Sequence, residues 1–204
     1  MDTTFTPLSQ LDPPALVRLA ALHSSVMPTL LSELGDGMVL RYYQVAQTDA
    51  SVLGLCSLAA SGEVEAWAVG SPDPSALNAR LRHPLGWFAG QILRLAFTRP
   101  GVLIDLLRSL LSASDANLLA PGQIELTYIA VSPQARGRGL GKAALAAFCQ
   151  AALQAGYTSV ALSVETDNPA ALGLYNTSGF KPTRIFREGR FERQRMQCDL
   201  PTTS

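Results

Sequence analysis

Apolar and polar positions along this chain switch between a helical and an alternating period, and the switch points divide it into elements. Leu16, Leu19 and Leu22 recur at helical spacing. Asp12 stands before them, with Pro13 and Pro14 where a first-turn amide has no partner to lose, so a helix is predicted from Asp12. A second helical stretch covers Pro28 to about Val45, with a break at Gly35-Asp36-Gly37. Val52–Ala60 and Val64–Gly70 then read as two strands, joined by a tight hairpin at Ser61-Gly62.

Residues 71–122 differ in character. Ser71-Pro72-Asp73-Pro74 opens them and Pro121-Gly122 closes them, and both are strong breakers. Between lie two apolar helical patterns, Leu85–Phe97 and Pro100–Leu111. The arrangement predicts a helical insertion between two strands of one sheet. Its Leu, Trp and Phe content would suit a lid, a dimer surface or a membrane contact, with packing or a homodimer favoured because balanced charge offers lipid little attraction.

Beyond residue 123 the pattern is simple. Ile124–Val131 is a predicted strand, Gly139–Ala155 a helix, Ser159–Val164 a strand and Asn168–Ser178 a helix. Lys181–Arg187 and Phe191–Leu200 are expected to pair as a hairpin turning near Glu188-Gly189. Ala143–Val164 is uncharged, but Gln150, Gln154 and the change of period at Gly156 make it a helix followed by a strand, not a membrane span.

Composition narrows the partners. With 16 basic and 16 acidic side chains among 204 residues, net charge draws the protein to neither nucleic acid nor an anionic membrane. Cys56, Cys149 and Cys198 are odd in number and far apart, and the only histidines are His23 and His83. Neither a metal site nor a disulfide framework is expected. Met1-Asp2-Thr3-Thr4 lacks the basic start of a signal peptide, so a cytoplasmic location is expected.

The densest chemistry lies in Arg136-Gly137-Arg138-Gly139-Leu140-Gly141-Lys142, which follows a strand and opens a helix. A helix N-terminus presents free amides and partial positive charge, and glycines let the backbone approach an anion closely. Two arginines and a lysine add full charges, which together describe a pyrophosphate site. Ala143 after Lys142 breaks the nucleoside-triphosphate pattern, and a dinucleotide fingerprint would need glycine where Lys142 stands. A second constellation, Asn168-Pro169 through Tyr175 to Gly179-Phe180, combines an N-cap, a first-turn proline and a left-handed C-cap.

The first stretch resembles the acetyl-CoA-binding motif of the GNAT superfamily of N-acetyltransferases, Gln/Arg-x-x-Gly-x-Gly/Ala, met by Arg136, Gly139 and Gly141. The second is similar to that family's Asn-x-x-Ala-x-x-x-Tyr-x-x-x-Gly-Phe. The resemblance covers roughly residues 124–200; residues 71–122 depart from it, and residues 9–70 match only in the order of elements. It implies a mixed α/β fold, with a predominantly antiparallel central sheet flanked by helices, as a single domain carrying the insertion between its third and fourth strands. It implies acetyl-CoA as the acyl donor, a primary amine as the acceptor, and direct attack through a tetrahedral intermediate. Cofactor contacts are then expected from Ile129, Ala130 and Val131, from Arg136 through Lys142, and from Asn168. Tyr175 is expected as the acid for the leaving thiolate and Glu125 as a general base. A non-catalytic acyl-CoA-binding or partner-binding module on the same fold is the other reading.

Overall fold

Three Asx-Pro steps begin three of the helices, and each does so in the same way. Asp12, Asp73 and Asn168 accept, through Oδ1, the amides of Ala15, Ala76 and Ala171 at 2.8, 2.9 and 3.1 Å, and a proline follows each of them. The computed structural model describes residues 3–98, 101, 119–188 and 191–201. In chain order its elements are β1 (Thr6–Pro7), α1 (Pro13–Val26), α2 (Leu30–Glu33), α3 (Asp36–Thr48), β2 (Leu53–Leu58) and β3 (Val64–Ser71). Then come α4 (Pro74–Arg80), α5 (Leu85–Thr98), β4 (Gln123–Val131), α6 (Leu140–Gln154), β5 (Ser159–Glu165), α7 (Pro169–Thr177), β6 (Lys181–Glu188) and β7 (Phe191–Asp199).

The seven strands form one sheet in the order β1-β2-β3-β4-β5-β7-β6. Only β4 and β5 run parallel, and every other pairing is antiparallel. This is the mixed, mostly antiparallel sheet expected from the sequence. Helices α1 and α3 cover one face, burying Leu19, Val39, Tyr42 and Tyr43 against Trp67 and Val69. Helices α6 and α7 cover the other, where Leu145, Phe148 and Tyr175 pack on Ile124, Leu162 and Met196.

Helices α4 and α5 stand between β3 and β4, where the insertion was expected. Helix α4 was not anticipated: Ser71-Pro72-Asp73-Pro74 reads as loop punctuation, yet Asp73 is a working N-cap. The two-residue β1 was also missed, because too few residues pair to leave an alternating pattern. The predicted helix over Pro100–Leu111 and the turn at Gly189 lie outside the described residues.

One irregularity positions the site. Along the β3–β4 ladder, Val69 pairs with Tyr128 but Gly70 pairs with Leu126, so Thr127 is an extra residue bulged out of β4. Simple alternation would put Glu125 on one face with Ile129 and Val131. The bulge reverses the facing: Tyr128 and Ala130 join the α1/α3 side, and Ile129 joins the α6/α7 side. Glu125, ahead of the bulge, pairs with Ser71 and faces the α1/α3 side with Tyr128. A Cβ on Gly70 would lie 2.3 Å from the Glu125 carbonyl, so only glycine lets β3 run this close to the bulged strand.

Candidate active site

The site is built where β4 and β5 part. They pair from Gln123–Ser159 to Leu126–Leu162 and no further. From Thr127 onward the edge of β4 facing β5 has no strand partner among the described residues, and Ile129, Ala130 and Val131 lie on it. Two parallel strands that diverge leave a cleft whose walls carry backbone amides and carbonyls in need of partners.

At the end of β4 the chain turns through a short 3-10 segment, Pro133–Ala135, into the glycine loop. Gly137 and Gly139 adopt φ of +78° and +76°, a left-handed conformation that glycine alone adopts without strain. No atom comes within 4 Å of where a Cβ would project from either one, so the loop is open on that side. Gly139 is the N-cap of α6 and offers no side chain, leaving the first amides of a fifteen-residue helix unpartnered by any cap. Arg136, Arg138 and Lys142 are exposed around this end. Arg138 donates to Glu65 on β3 at 2.5 Å. Free amides, a helix dipole and three cations at an open loop fit a pyrophosphate.

Across the cleft, Asn168 is exposed at the start of α7 and Tyr175 is buried near its end. The Asn168 carbonyl oxygen caps the helix, which leaves its amide group free to donate. Tyr175 packs on Phe180, ring centroids 5.8 Å apart, and burial pushes its hydroxyl up to a pKa of about 12. It therefore stays protonated throughout the neutral range.

On the opposite face lies a polar cluster. Glu125 is 9% exposed, and its Oε1 accepts from Arg195 Nη1 at 2.7 Å. The same Nη1 donates to Ser163 Oγ at 3.0 Å. Glu125 Oε2 is buried and has no hydrogen-bond partner. Tyr42 stands close by: burial raises its pKa well above 10, the fields of Tyr128 and Glu125 add to that, and the neighbouring Thr127 hydroxyl works the other way. His23, fully buried, hydrogen-bonds Tyr43 Oη through Nδ1 at 2.7 Å and packs its ring edge-to-face against Tyr128. Burial lowers its pKa to about 4, so it is a neutral core residue.

The structure thus places the sequence-predicted residues in two groups, one on each face of the sheet. The loop, Asn168 and Tyr175 belong to one, and Glu125 belongs to the other. Arg195 is the residue the sequence misdirects. Set among Arg184, Arg187, Arg190 and Arg193, it reads as part of a solvated hairpin face, yet it is 7% exposed and paired with Glu125. Tyr42, Thr127 and Tyr128 gave no sequence signal beyond their hydrophobic pattern.

Comparisons with known proteins bear on the family and the fold. Residues 40–180 match the model of the acetyltransferase (GNAT) family. The mycothiol acetyltransferase of Rhodococcus erythropolis is 30% identical over 149 residues, 71% of this chain and 47% of that protein. Among solved structures, the ribosomal-protein-S18-alanine N-acetyltransferase of Escherichia coli superposes with a TM-score of 0.60 at 17% identity, covering 100% of this chain and 97% of the other. The phosphinothricin acetyltransferase of Sinorhizobium meliloti, solved with acetyl-CoA, gives a TM-score of 0.60 at 17% identity over 98% and 89% of the two chains. The chain belongs to the acetyltransferase (GNAT) family. It spans about half the length of the mycothiol acetyltransferase it matches.

Proposed function

We propose that the chain transfers an acetyl group from acetyl-CoA to a primary amine. The observation that carries this reading is the parting of β4 and β5 after Leu126 and Leu162. It opens beside an uncapped helix N-terminus, with Tyr175 buried on the α6/α7 face of the sheet and Glu125 on the other. Arg136, Lys142 and the first amides of α6 would hold the pyrophosphate, with Gly137, Arg138, Leu140 and Gly141 forming the rest of the cradle. The open edge of β4 at Ile129, Ala130 and Val131, with the Asn168 amide, would hold the pantetheine arm. When bound, acetyl-CoA supplies an acetyl carbon activated as a thioester.

Attack by an amine then needs a proton acceptor on one side and a proton donor on the other. Glu125 Oε2 has a free lone pair, because Arg195 occupies only Oε1. Tyr175 carries the proton for the departing sulfur, and its raised pKa keeps that proton in place until a thiolate develops. The two groups belong to opposite faces of the sheet, so acid and base are not short-circuited by each other. Three cysteines without disulfides fit a reducing, cytoplasmic setting.

The Tyr175→Phe variant tests this reading. Acetyl-CoA affinity by calorimetry should hold, because the ring and its packing on Phe180 remain. Turnover, followed by thiol release in the presence of an amine, should fall on the order of 100-fold. Turnover equal to that of the parent across pH would remove Tyr175 from the acid role. Tight acetyl-CoA binding without thiol release for any amine would instead leave a non-catalytic acyl-CoA-binding module.

A further inference from the structure

Two networks meet on the α1/α3 face of the sheet, and His23 belongs to both. The first is a closed set of four rings, each packed edge-to-face on the next. Ring centroids lie 5.7 Å apart for His23 and Tyr43, 5.3 Å for Tyr43 and Tyr42, 5.2 Å for Tyr42 and Tyr128, and 4.7 Å for Tyr128 and His23. Interplanar angles from 73° to 88° give every contact the geometry that ring quadrupoles favour. Three of these rings are buried. Tyr128 is only half-buried, and it shares its face of the sheet with Glu125.

The second network is a chain of hydrogen bonds from the core to the turn between α1 and α2. His23 Nδ1 lies 2.7 Å from Tyr43 Oη, and Nε2 lies 3.3 Å from Thr29 Oγ1. Thr29 Oγ1 is 2.9 Å from Ser32 Oγ, and Ser32 donates to the Met27 carbonyl. Counting hydrogens fixes the direction of each bond. A hydroxyl has one hydrogen, and Ser32 gives its own to Met27, so Thr29 donates to Ser32. Thr29 is left with lone pairs alone, so His23 Nε2–H donates to it. Burial keeps the imidazole neutral, so Nδ1 carries no hydrogen and accepts from the Tyr43 hydroxyl. The turn's amides use the remaining lone pairs: Ser32 N–H donates to Thr29 Oγ1 at 3.3 Å and Thr29 N–H to Ser32 Oγ at 3.4 Å. No bond in the chain can reverse without leaving a donor or an acceptor unmatched.

We infer that His23, as its Nε2–H tautomer, is a positioning residue for the acceptor side of the proposed site. One edge of its ring ties the α1–α2 turn to the core, and its packing sets the Tyr128 ring on the Glu125 face. Met27 of the turn packs on the same apolar cluster as Tyr128, which couples turn and ring. Tyr42 completes the link, because its hydroxyl feels both Tyr128 and Glu125. Tyr175 lies on the other face, and the glycine loop supplies no member of either network. This inference rests on the acetyl-transfer reading and adds residues that tune its acceptor, not its donor.

Two variants cut the chain and keep the four rings. Thr29→Val replaces the hydroxyl by a methyl of similar shape, and Tyr43→Phe removes only the Oη donor. In each, KM for the amine should rise about tenfold, with kcat changing less and acetyl-CoA affinity by calorimetry held within about twofold. Thr29→Ser keeps the hydroxyl and should restore the parent's KM. The tautomer is read separately, without turnover. His23 and His83 are the only histidines, and the exposed His83 side chain belongs to neither network. In His83→Gln, ring-nitrogen chemical shifts at neutral pH should therefore report a single Nε2–H imidazole. An Nδ1–H imidazole, or an amine KM unmoved in both chain-cutting variants, would overturn the inference while acetyl transfer by the parent stands. Donor affinity that falls together with amine binding would make His23 merely structural and would overturn it too. A parent that releases no thiol with any amine would remove acetyl transfer, and the positioning role with it.

Discussion

The two sides of the β4–β5 opening are built from different materials. On the α6/α7 side, the proposed donor site is mostly backbone: amides of a helix start, two left-handed glycines and a strand edge with no strand partner among the described residues. On the α1/α3 side, the proposed acceptor site is made of side chains drawn from β4, β5, β7 and α3, with Glu125, Arg195, Ser163 and Tyr42 converging from far apart in sequence. Backbone recognition demands particular residue types at fixed spacing, because only glycine reaches the required φ and only a helix start presents its amides. Side-chain recognition can be assembled from any strand that passes the site. One side is therefore written as a motif and the other is not.

The largest effect that would sharpen this contrast is expected at Gly139. A valine there must take φ near +76°, where a β-branched side chain is strained by about 1–2 kcal/mol or more, or the loop must reshape. Its Cβ would also project into the open side of the cradle. Acetyl-CoA affinity in Gly139→Val should fall on the order of 100-fold by calorimetry, while the acceptor side is untouched. An unchanged dissociation constant would show that the loop's conformation does not matter for the donor.

Next in size is Glu125→Gln, on the other side. The amide oxygen can still accept from Arg195, so the fold and acetyl-CoA affinity should survive. The basic lone pair is gone, and kcat/KM should drop by about 10- to 100-fold. A variant that keeps the parent's kcat/KM would assign the proton acceptor elsewhere. Donor affinity lost with Gly139→Val and chemistry lost with Glu125→Gln would confirm that the two sides divide the labour.

That division also explains how much could be read from the chain. Helices α1, α6 and α7 were legible because Asp12-Pro13, Gly139 and Asn168-Pro169 are local start signals joined to long apolar stripes. Helix α4 uses the same Asp-Pro signal, but it is seven residues long with only Leu77 buried, so no stripe followed to distinguish it from a turn. The glycine loop and the helix it opens were legible from the residues themselves. The facing of Glu125 was not, because one inserted residue, Thr127, flips every side chain after it and leaves no mark in the hydrophobic pattern. The burial of Arg195 was invisible for a related reason. An arginine on a hairpin reads as solvated unless the carboxylate 70 positions earlier, brought close only by the sheet order β4-β5-β7, is known to face it.

The smallest expected effect lies at an ion pair that crosses between the two regions. Glu65 sits on β3, and its carboxylate takes a hydrogen bond from Arg138 of the donor loop at 2.5 Å. The Arg138 side chain is 54% exposed, so solvent screens the pair and it contributes little to stability, about 0–1 kcal/mol. Its consequence is for binding: a guanidinium engaged by Glu65 is partly neutralised before any phosphate arrives. In Glu65→Gln the arginine keeps a weaker neutral acceptor and recovers its full field toward the cradle. Acetyl-CoA affinity should rise by up to about fivefold, and its decline with added salt should steepen because one more unshielded cation takes part. Glu65 pairs with Arg138 and with no group of the Glu125 cluster among the described residues, so kcat with saturating donor should not move. Affinity that falls in Glu65→Gln would mean the carboxylate orients Arg138 for the phosphate instead of competing with it, and the boundary between the two sides would then be drawn through β3.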